Sequence, residues 1–422
     1  MTKQIENPSI LNNDADVKDN KPFELIKIIR VGNEFYYDDE KEYIPLTKDT
    51  IITDHGKKCL SKIPKYKGFT NEPNNINWNR SHNGYYNLYK QISWNTKKGS
   101  YSNINKILQH VFKGDHYNMI LTYLYVAYCH PKHPLPIIGL VGKQGTGKTK
   151  CMELILKMFS PNSTVIDPED LTSPFNNHFL NKLIVGVDEK STAGSNEMER
   201  LKKFATGGTQ IMKTKFKTPT KIECNLKFIM CSNDIYGMLN LEQENTRFWV
   251  IEVDTLKSDD FDILTKATKE IPAFFYYLVN EYTPIERASR LWLDPIAFQT
   301  DAAKKMQANA RPQLIKAIIE NLTDYFLSNE DESEVYFTAD QFISAFGRNE
   351  RWNSSWFAKG VKKHLNKTSY AKRRGNPFYD MITSYYNGNI NSISNDIKQR
   401  RYYHFTKDEV YTLNEDFEPP TN

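Results

Sequence analysis

A glycine-rich segment followed by a lysine and a threonine is the part of this sequence whose chemistry is easiest to infer. Gly142, Gly147, Lys148 and Thr149 fit the pattern G-x-x-x-x-G-K-[ST]. In such a loop backbone N–H groups point at a triphosphate, the lysine neutralises its β- and γ-phosphates and the threonine hydroxyl holds Mg²⁺. A chance glycine-rich turn is the alternative, but an apolar run precedes the loop and an amphipathic helical pattern follows it. The predicted nucleotide-contacting residues are Gly142, Lys143, Gln144, Gly145, Thr146, Gly147, Lys148 and Thr149.

Two later apolar runs end in polar side chains that suit nucleotide hydrolysis. Residues 182–189 predict a strand ending in Asp188 and Glu189, and residues 226–233 predict another ending in Asn233. We expect Asp188 to hold Mg²⁺, as Thr149 does, and Glu189 to polarise the attacking water. Asn233 is expected between the other two strand ends, where it holds that water or the γ-phosphate. An asparagine at the end of a strand is a weak signal by itself, because asparagine favours turns. Asn233 indicates a functional role only because its strand follows the loop strand and the acidic strand.

A β-hairpin is predicted between these two strands. Residues 210–217 and 221–224 flank a Thr-Pro-Thr turn, and alternating segments around such a turn indicate paired antiparallel strands. Lys213, Lys215 and Lys217 lie on one face of the first strand. These lysines either contact DNA or form a solvated edge that prevents strand aggregation. A further strand, 245–253, begins with Arg247 near its start.

The segments before the loop are predicted from composition and periodicity. Residues 1–21 are polar and carry too little apolar surface to order, so we expect a disordered tail. Residues 22–130 form an α+β region, with short apolar-aromatic pieces such as 25–29, 34–37 and 51–52 indicating a β-rich part up to about residue 89. Apolar residues at helical spacing then predict two helices across 104–128. The aromatic residues of these helices are interpreted as core rather than as a base-stacking surface.

The overall composition limits the function classes. With 422 residues and a net charge of +5, the chain has room for two or three domains, and any basic surface must be local. Its five cysteines have no metal-ligand spacing, so buried thiols in a reducing compartment are expected. No apolar run reaches 18 residues and no signal-peptide core is present. We therefore expect a soluble protein without membrane contact, in the cytoplasm of a bacterial host cell.

The C-terminal third has a separate pattern. Residues 257–330 predict a helical linker or lid, and 331–422 follow the order strand, helix, helix, basic turn and strand of a winged-helix-like domain. Nine Lys or Arg residues fall between positions 339 and 375, which favours phosphate contacts. A winged helix used for protein contacts is the alternative. The predicted DNA-contacting residues here are Lys362, Lys363, Arg373 and Arg374.

The ordered set of loop, acidic strand, lysine hairpin, Ser-Asn strand and Arg-Phe resembles the superfamily three helicases of the AAA+ class. Over residues 28–253 it is most similar to the primase-associated helicase domains of phages, plasmids and mobile elements, relatives of poxvirus-type primase-helicases. The predicted fold class is therefore α/β, with an AAA+ P-loop NTPase core at 131–256. The resemblance implies ATP and Mg²⁺ as cofactors, a ring, usually a hexamer, and translocation on single-stranded or forked DNA. It further implies that Arg247 is an arginine finger and that Lys215 and Lys217 contact DNA.

The expected function is an ATP-driven replicative DNA helicase of a phage or mobile element. No primase domain precedes the helicase motifs, so a separate primase or polymerase is an expected partner. Two other classes remain open. An initiator would bind and melt origin duplex without processive unwinding, and a nucleotide-switched DNA-binding regulator would hydrolyse slowly. Glu189 argues against the regulator, because a switch does not need a well-placed base.

Overall fold

The computed structural model divides the chain into two compact units. Residues 23–72 and 79–90 form the first, and 73–78 with the chain from residue 91 onward form the second. The predicted N-terminal region, 22–130, thus contributes to both units, because its two helices belong to the second. The residues that the structure describes are 23–39, 43–92, 94–188, 195–213, 219–234, 241, 245–256, 260–310, 312–346, 352–371 and 401–415.

The first unit contains two small sheets and one helix. The strand orders are β3-β2-β1-β4 and β5-β7-β6, in agreement with the predicted β-rich part. The exception is residues 51–52, which lie in helix α1, whose first turn is capped by the Thr47 hydroxyl accepting the Thr50 N–H at 3.0 Å. The elements are β1 Ile28–Val31, β2 Glu34–Asp38, β3 Tyr43–Leu46, α1 Lys48–His55, β4 Lys65–Tyr66, β5 Phe69–Thr70, β6 Ser81–His82 and β7 Tyr85–Asn87.

A five-stranded parallel sheet forms the centre of the second unit, in the order β14-β8-β13-β10-β9. Strands β8 and β13 are buried along their whole length, as expected for a parallel sheet that is covered on both faces. The strand after the glycine-rich loop in sequence, β9, lies at one edge. The bounds are β8 Ile137–Val141, β9 Ser163–Ile166, β10 Ile184–Asp188, β13 Lys227–Ser232 and β14 Phe248–Glu252.

Helices cover this sheet. The two helices predicted across 104–128 are present, and their aromatic residues Phe112 and Tyr123 are fully buried, so the core interpretation is confirmed. Helix α4 packs closely on β10, because a Cβ at Gly186 would lie 2.9 Å from the Met152 sulfur. Among the described helices, none combines the length and apolar character that crossing a bilayer requires. The bounds are α2 Ser102–Val111, α3 Asp115–Cys129, α4 Lys148–Met158, α5 Ser195–Ala205, α6 Ile263–Asn280 and α7 Asp301–Asn309.

The predicted hairpin is present between β10 and β13. Its strands, β11 Gly208–Met212 and β12 Thr220–Cys224, pair antiparallel, with Gly208 opposite Cys224 and Met212 opposite Thr220. The first strand ends at Met212, so Lys213 lies just beyond it rather than within a strand. Residues 214–218, which include Lys215 and Lys217, lie outside the described residues.

The C-terminal part has its own apolar core, and a strand, two helices and a late strand follow one another as predicted. The predicted basic turn, 372–375, lies outside the described residues. Strands β15, β17 and β16 form an antiparallel sheet in that order. The helices of the predicted linker, 257–330, belong to two different apolar cores. Helix α7 contributes to the core around the parallel sheet, whereas Leu314, Ile318 and Phe326 of α8 contribute to the C-terminal core. The bounds are α8 Gln313–Ser328, β15 Glu334–Phe337, α9 Ala339–Phe346, α10 Ser354–Leu365, β16 Tyr370–Ala371, β17 Arg401–Thr406 and α11 Lys407–Glu415.

Candidate functional site

The glycine-rich loop connects β8 to α4, as predicted. Gly142, Gly145 and Gly147 all have positive φ, at 142°, 79° and 89°, a region that side chains rarely adopt. Space also requires glycine at the first position, because a Cβ on Gly142 would lie 2.6 Å from the Val253 carbonyl oxygen. The loop therefore has the tight backbone path that lets N–H groups converge at a helix N-terminus, a site suited to anions.

The ammonium group of Lys148 lies at the centre of this loop. Its Nζ donates to the carbonyl oxygens of Gly142 at 2.6 Å and Lys143 at 2.8 Å, to Thr146 Oγ1 at 3.1 Å and to Asn233 Oδ1 at 3.2 Å. Burial lowers the pKa of Lys148. Within the described part of the chain no carboxylate pairs with this ammonium, so its charge is held by neutral oxygens. Such a group can accept a phosphate without losing an ion pair.

The carboxyl ends of neighbouring strands bring the other predicted residues to the same edge of the sheet. Val141, the last residue of β8, is opposite Ser232, and Asp188 is opposite Cys231. The strand that ends before Asn233 thus lies between the loop strand and the acidic strand, where the sequence places it. Asp188 is half-buried. Glu189 lies outside the described residues.

The remaining loop residues differ in exposure. Lys143, Gln144, Gly145 and Thr149 are exposed, whereas Thr146 is buried and its hydroxyl donates to the Lys143 carbonyl at 3.0 Å. The exposed hydroxyl of Thr149 and the carboxylate of Asp188 are oxygen ligands of the kind that Mg²⁺ prefers. These are the two described side chains that would hold such an ion.

Arg247 lies at the amino ends of the strands, at the end of the sheet opposite the glycine-rich loop. Its carbonyl accepts the N–H of Ile137 at 2.8 Å, and Phe248 is opposite Ile137 in the parallel β14–β8 pair. The phosphate loop begins after Val141, about 17 Å away for five residues at roughly 3.3 Å each. Arg247 as a whole is half-buried, and no described residue pairs with its guanidinium. Arg247 therefore lies well away from the glycine-rich loop of its own chain.

The predicted DNA-contacting residues are only partly described. Lys213 is exposed, and its backbone pairs with Asn176, whose Oδ1 accepts the Lys213 N–H at 2.8 Å. On α10, Lys362 and Lys363 are exposed. Lys215, Lys217, Arg373 and Arg374 lie outside the described residues.

Two features of the site were missed from the sequence. His110 Nε2 donates to the Thr146 carbonyl at 3.0 Å, which ties α2 to the phosphate loop. A pocket of about 660 Å³ lies beside the loop, lined by residues of α2, α4, α6 and the segment after β14. Neither has a local sequence signal, since each depends on segments that are far apart in the chain.

Comparisons with known proteins agree with the fold. Residues 140–247 match the model of DUF5906, described as a family of unknown function, and this match runs from the end of β8 to Arg247. No curated protein matches the chain.

Three solved structures are similar to most of the chain. The apo structure of the NrS-1 C terminal region (305-718) has a TM-score of 0.61 and 18% identity, covering 85% of this chain and 98% of that one. An A form apo structure of the same region gives 0.59, 17%, 90% and 98%. A further A form apo structure of the NrS-1 C terminal region gives 0.59, 18%, 83% and 93%. At these identities the likeness is one of fold.

Proposed function

We propose that this protein is an ATP-driven DNA helicase of phage or mobile-element replication, ring-forming and moving on single-stranded DNA. The observation that carries the proposal is the position of Lys148. Its ammonium joins the phosphate loop to Asn233, at the edge where the acidic strand also ends. The helicase resemblance of the motifs and their order supports the step from ATP hydrolysis to DNA unwinding.

The loop residues would bind the triphosphate. Backbone N–H groups of the loop and the first turn of α4 would contact phosphate oxygens, and Lys148 would exchange its carbonyl partners for the β- and γ-phosphates. Thr149 and Asp188 would hold Mg²⁺, which neutralises charge that develops on the phosphates. The close approach of Val253 to Gly142 supports this assignment, because it leaves room only for bare backbone at the start of the loop.

Hydrolysis requires a positioned water. In the proposed reaction Asn233 orients the water, whose oxygen attacks the γ-phosphorus while the bond to the β–γ bridging oxygen breaks. Glu189 accepts the proton of the water, a role that rests on its sequence position after Asp188. The products are ADP and inorganic phosphate.

Arg247 would act on the nucleotide of a neighbouring copy. Its position at the end of the sheet opposite the phosphate loop favours a contact between chains over one within its own chain. An arginine supplied in this way stabilises the charge of the transition state. Homo-oligomer formation, with a hexamer as the expected ring, belongs to the proposal.

Two variants test the proposed site. Lys148→Ala should lose ATP binding, and Glu189→Gln should retain binding but lose turnover. Equilibrium binding of a fluorescent ATP analogue and phosphate release measure the two steps separately. Near wild-type hydrolysis in either variant would remove the assignment. Strand displacement on forked DNA with 3′ or 5′ tails then tests unwinding and gives its direction.

An origin-melting initiator is a second candidate, favoured by one observation on α10. Lys359, Lys362 and Lys363 are exposed on this helix, which follows β15 and α9 as the recognition helix of a winged-helix domain does. Such a protein would bind duplex DNA tightly and melt it locally. If the wild type binds duplex and hydrolyses ATP but displaces no strand from either fork, the initiator replaces the helicase.

A further inference from the structure

A lysine-rich segment of the first unit takes no part in the proposed motor. Residues 55–71 contain five lysines and neither Asp nor Glu, although the whole chain carries 56 Lys or Arg against 51 Asp or Glu. All five side chains are exposed, and no residue that the structure describes forms an ion pair with any of them. Such a concentration of ammonium groups favours a polyanionic partner. The lysines are Lys57, Lys58, Lys62, Lys65 and Lys67.

A packed backbone presents these lysines. The segment begins with a short 3-10 turn, Lys57–Ser61. Cys59 and Ile63 belong to the same buried cluster as Ile28 of β1, so the lysines that flank these two residues are held facing solvent. Lys65 follows in β4, at the edge of the four-stranded sheet. The ammonium groups are therefore displayed by ordered structure that is anchored to the core of the first unit.

An exposed aromatic ring lies beside the last of these lysines. The Lys67 N–H donates to the Gly84 carbonyl at 2.8 Å, and the Tyr86 N–H donates to the Gly68 carbonyl at 2.8 Å. A Cβ on Gly68 would lie 3.1 Å from two carbons of the Tyr85 ring, so this ring rests on bare backbone. Tyr85 is nevertheless 42% exposed. A fixed ring next to an ammonium group suits a base stacked beside its own phosphate.

Protection of the sheet edge is another role that lysines have. A charged side chain on an edge strand prevents pairing with a second chain. Lys65 alone serves that purpose on β4, whose other residue, Tyr66, is half-buried. Lys57, Lys58 and Lys62 come before the strand, so edge protection does not explain them.

We propose that the lysine edge, defined as Lys57, Lys58, Lys62, Lys65 and Lys67 together with Tyr85, binds single-stranded DNA. The ammonium groups contact phosphates, and the Tyr85 ring stacks on a base. This proposal goes beyond the helicase assignment, because the lysine edge belongs to the first unit and its contacts need no nucleotide. It adds a DNA contact to those predicted on the hairpin and on α10.

Fluorescence anisotropy with a labelled oligothymidylate tests the proposal on the full chain, over a series of salt concentrations and without nucleotide. The test variant replaces Lys62, Lys65 and Lys67 together by Ala. Circular dichroism confirms that each variant is folded. The matched control makes the same change in net charge at three exposed lysines of the second unit, Lys157, Lys269 and Lys304.

Each lost phosphate contact flattens the log–log salt dependence of single-strand binding by roughly 0.7, so the triple variant should lose about 2 from the slope. The control should keep the wild-type slope. An unchanged slope in the folded triple variant would overturn the proposal, and so would a wild type that does not bind the oligothymidylate. A triple variant that loses duplex binding but keeps single-strand binding would also overturn it, because the partner would then be duplex DNA.

Two variants of Tyr85 test the stacking contact. Tyr85→Ala removes the ring and should weaken oligothymidylate binding by at least about fivefold, with the salt slope unchanged because no charge is lost. Tyr85→Phe keeps the ring and should bind as the wild type does. Wild-type affinity in Tyr85→Ala, or a Tyr85→Phe variant as weak as Tyr85→Ala, would overturn the stacking role and with it the choice of a single strand.

Measurements of hydrolysis separate this proposal from the proposed function. Without DNA, the triple lysine variant should hydrolyse ATP as the wild type does, and Lys148→Ala should lose hydrolysis while it keeps the wild-type salt slope. If the wild type hydrolyses no ATP but the triple variant still loses slope, the helicase assignment fails and the lysine edge stands. If Lys148→Ala loses hydrolysis but the triple variant keeps the wild-type slope, the lysine edge fails and the motor assignment stands.

Discussion

Lys227 is a buried cation at the start of β13, and its substitution should change the pH dependence of stability. The residue is 1% exposed, and its Nζ donates to the carbonyl oxygens of Pro131 and, at 2.9 Å, Asn225. Burial lowers the pKa of Lys227 from 10.5 to about 7. At a pH below 7 this lowering costs the folded state about 5 kcal/mol, since each pKa unit corresponds to about 1.36 kcal/mol.

The sign follows from proton uptake. Between pH 7 and 10.5 the folded state leaves Lys227 neutral while the unfolded state protonates it, so unfolding takes up a proton. The free energy of unfolding therefore rises with pH over this range, by up to about 1.4 kcal/mol per pH unit. Between pH 7.5 and 9.5 the contribution of this one lysine amounts to roughly 2–3 kcal/mol. Lys227→Met removes the titrating group and retains an unbranched side chain of similar length.

Urea unfolding at pH 7.5 and 9.5 measures this contribution. From the lower to the higher pH, the wild type should gain roughly 2–3 kcal/mol more unfolding free energy than Lys227→Met. Titrating groups that do not interact with Lys227 cancel in this difference. His133, whose pKa is lowered by burial and by nearby cations that include Lys227, is neutral in the wild type over this pH range. Lys221→Met, at an exposed position of β12, is the control and should follow the wild type. A Lys227→Met variant that gains as much as the wild type would show that the lysine titrates at its ordinary value, and the reasoning would be refuted.

Three further predictions concern the motor and its DNA contacts. Arg247→Ala should assemble normally but hydrolyse ATP on the order of 10³-fold more slowly. Mixing it with Lys148→Ala protein should restore some phosphate release at mixed interfaces. If Arg247→Ala misfolds or does not assemble, and the mixture stays inactive, Arg247 is a structural residue. Replacing Lys215 and Lys217 together by Ala should keep basal ATPase but suppress its stimulation by DNA. Each lost phosphate contact should flatten the salt dependence of single-strand binding by roughly 0.7 in log–log slope. An unchanged slope with full unwinding would show that these two lysines do not contact DNA. Removing the chain from residue 312 onward should weaken initial DNA capture in a filter-binding assay, while a preloaded ring still unwinds DNA. Loss of unwinding on preloaded substrate would show that the C-terminal part is needed for unwinding itself.

The position of that truncation comes from the structure. The sequence suggests a cut after about residue 330, where the predicted linker ends. Helix α8 precedes that point, yet Leu314, Ile318 and Phe326 are buried in the C-terminal core. A cut at residue 330 would leave this apolar face exposed, and an aggregating product would imitate a loss of function. A cut before α8 removes the core as a whole.

The parallel strands and the loop could be predicted because their signals are local. Strands β8 and β13 are buried on both faces, so β8 and residues 228–231 of β13 are continuous apolar runs, and positive φ at Gly142 and Gly147 demands glycine in the sequence itself. Helix α1 could not be predicted in this way. Its isoleucines favour strands by propensity, but the Thr47 cap and burial of Ile51 against Cys59 select a helix.

Contacts between distant segments account for the rest of what the sequence did not predict. His110 meets Thr146 across 36 positions, and Asn176 meets Lys213 across 37. The apolar face of α8 is visible as a helical pattern, but a pattern identifies a buried face without identifying what covers it. The same limit applies to the pocket beside the loop, which residues of separate segments line together.

The connection between α7 and α8 has a mechanical consequence. Three residues separate the two helices, so the four Cα–Cα steps between the helix ends span at most ~14 Å. Just before α7, Thr300 donates to the Val250 carbonyl at 2.6 Å and Gln299 donates to the Asn245 carbonyl at 3.0 Å. Tension on the C-terminal module would thus be transmitted to β14 and to the segment that carries Arg247. In the proposed ring, a force on DNA bound by the C-terminal module would then shift the Arg247 segment and change the rate of hydrolysis in the neighbouring copy.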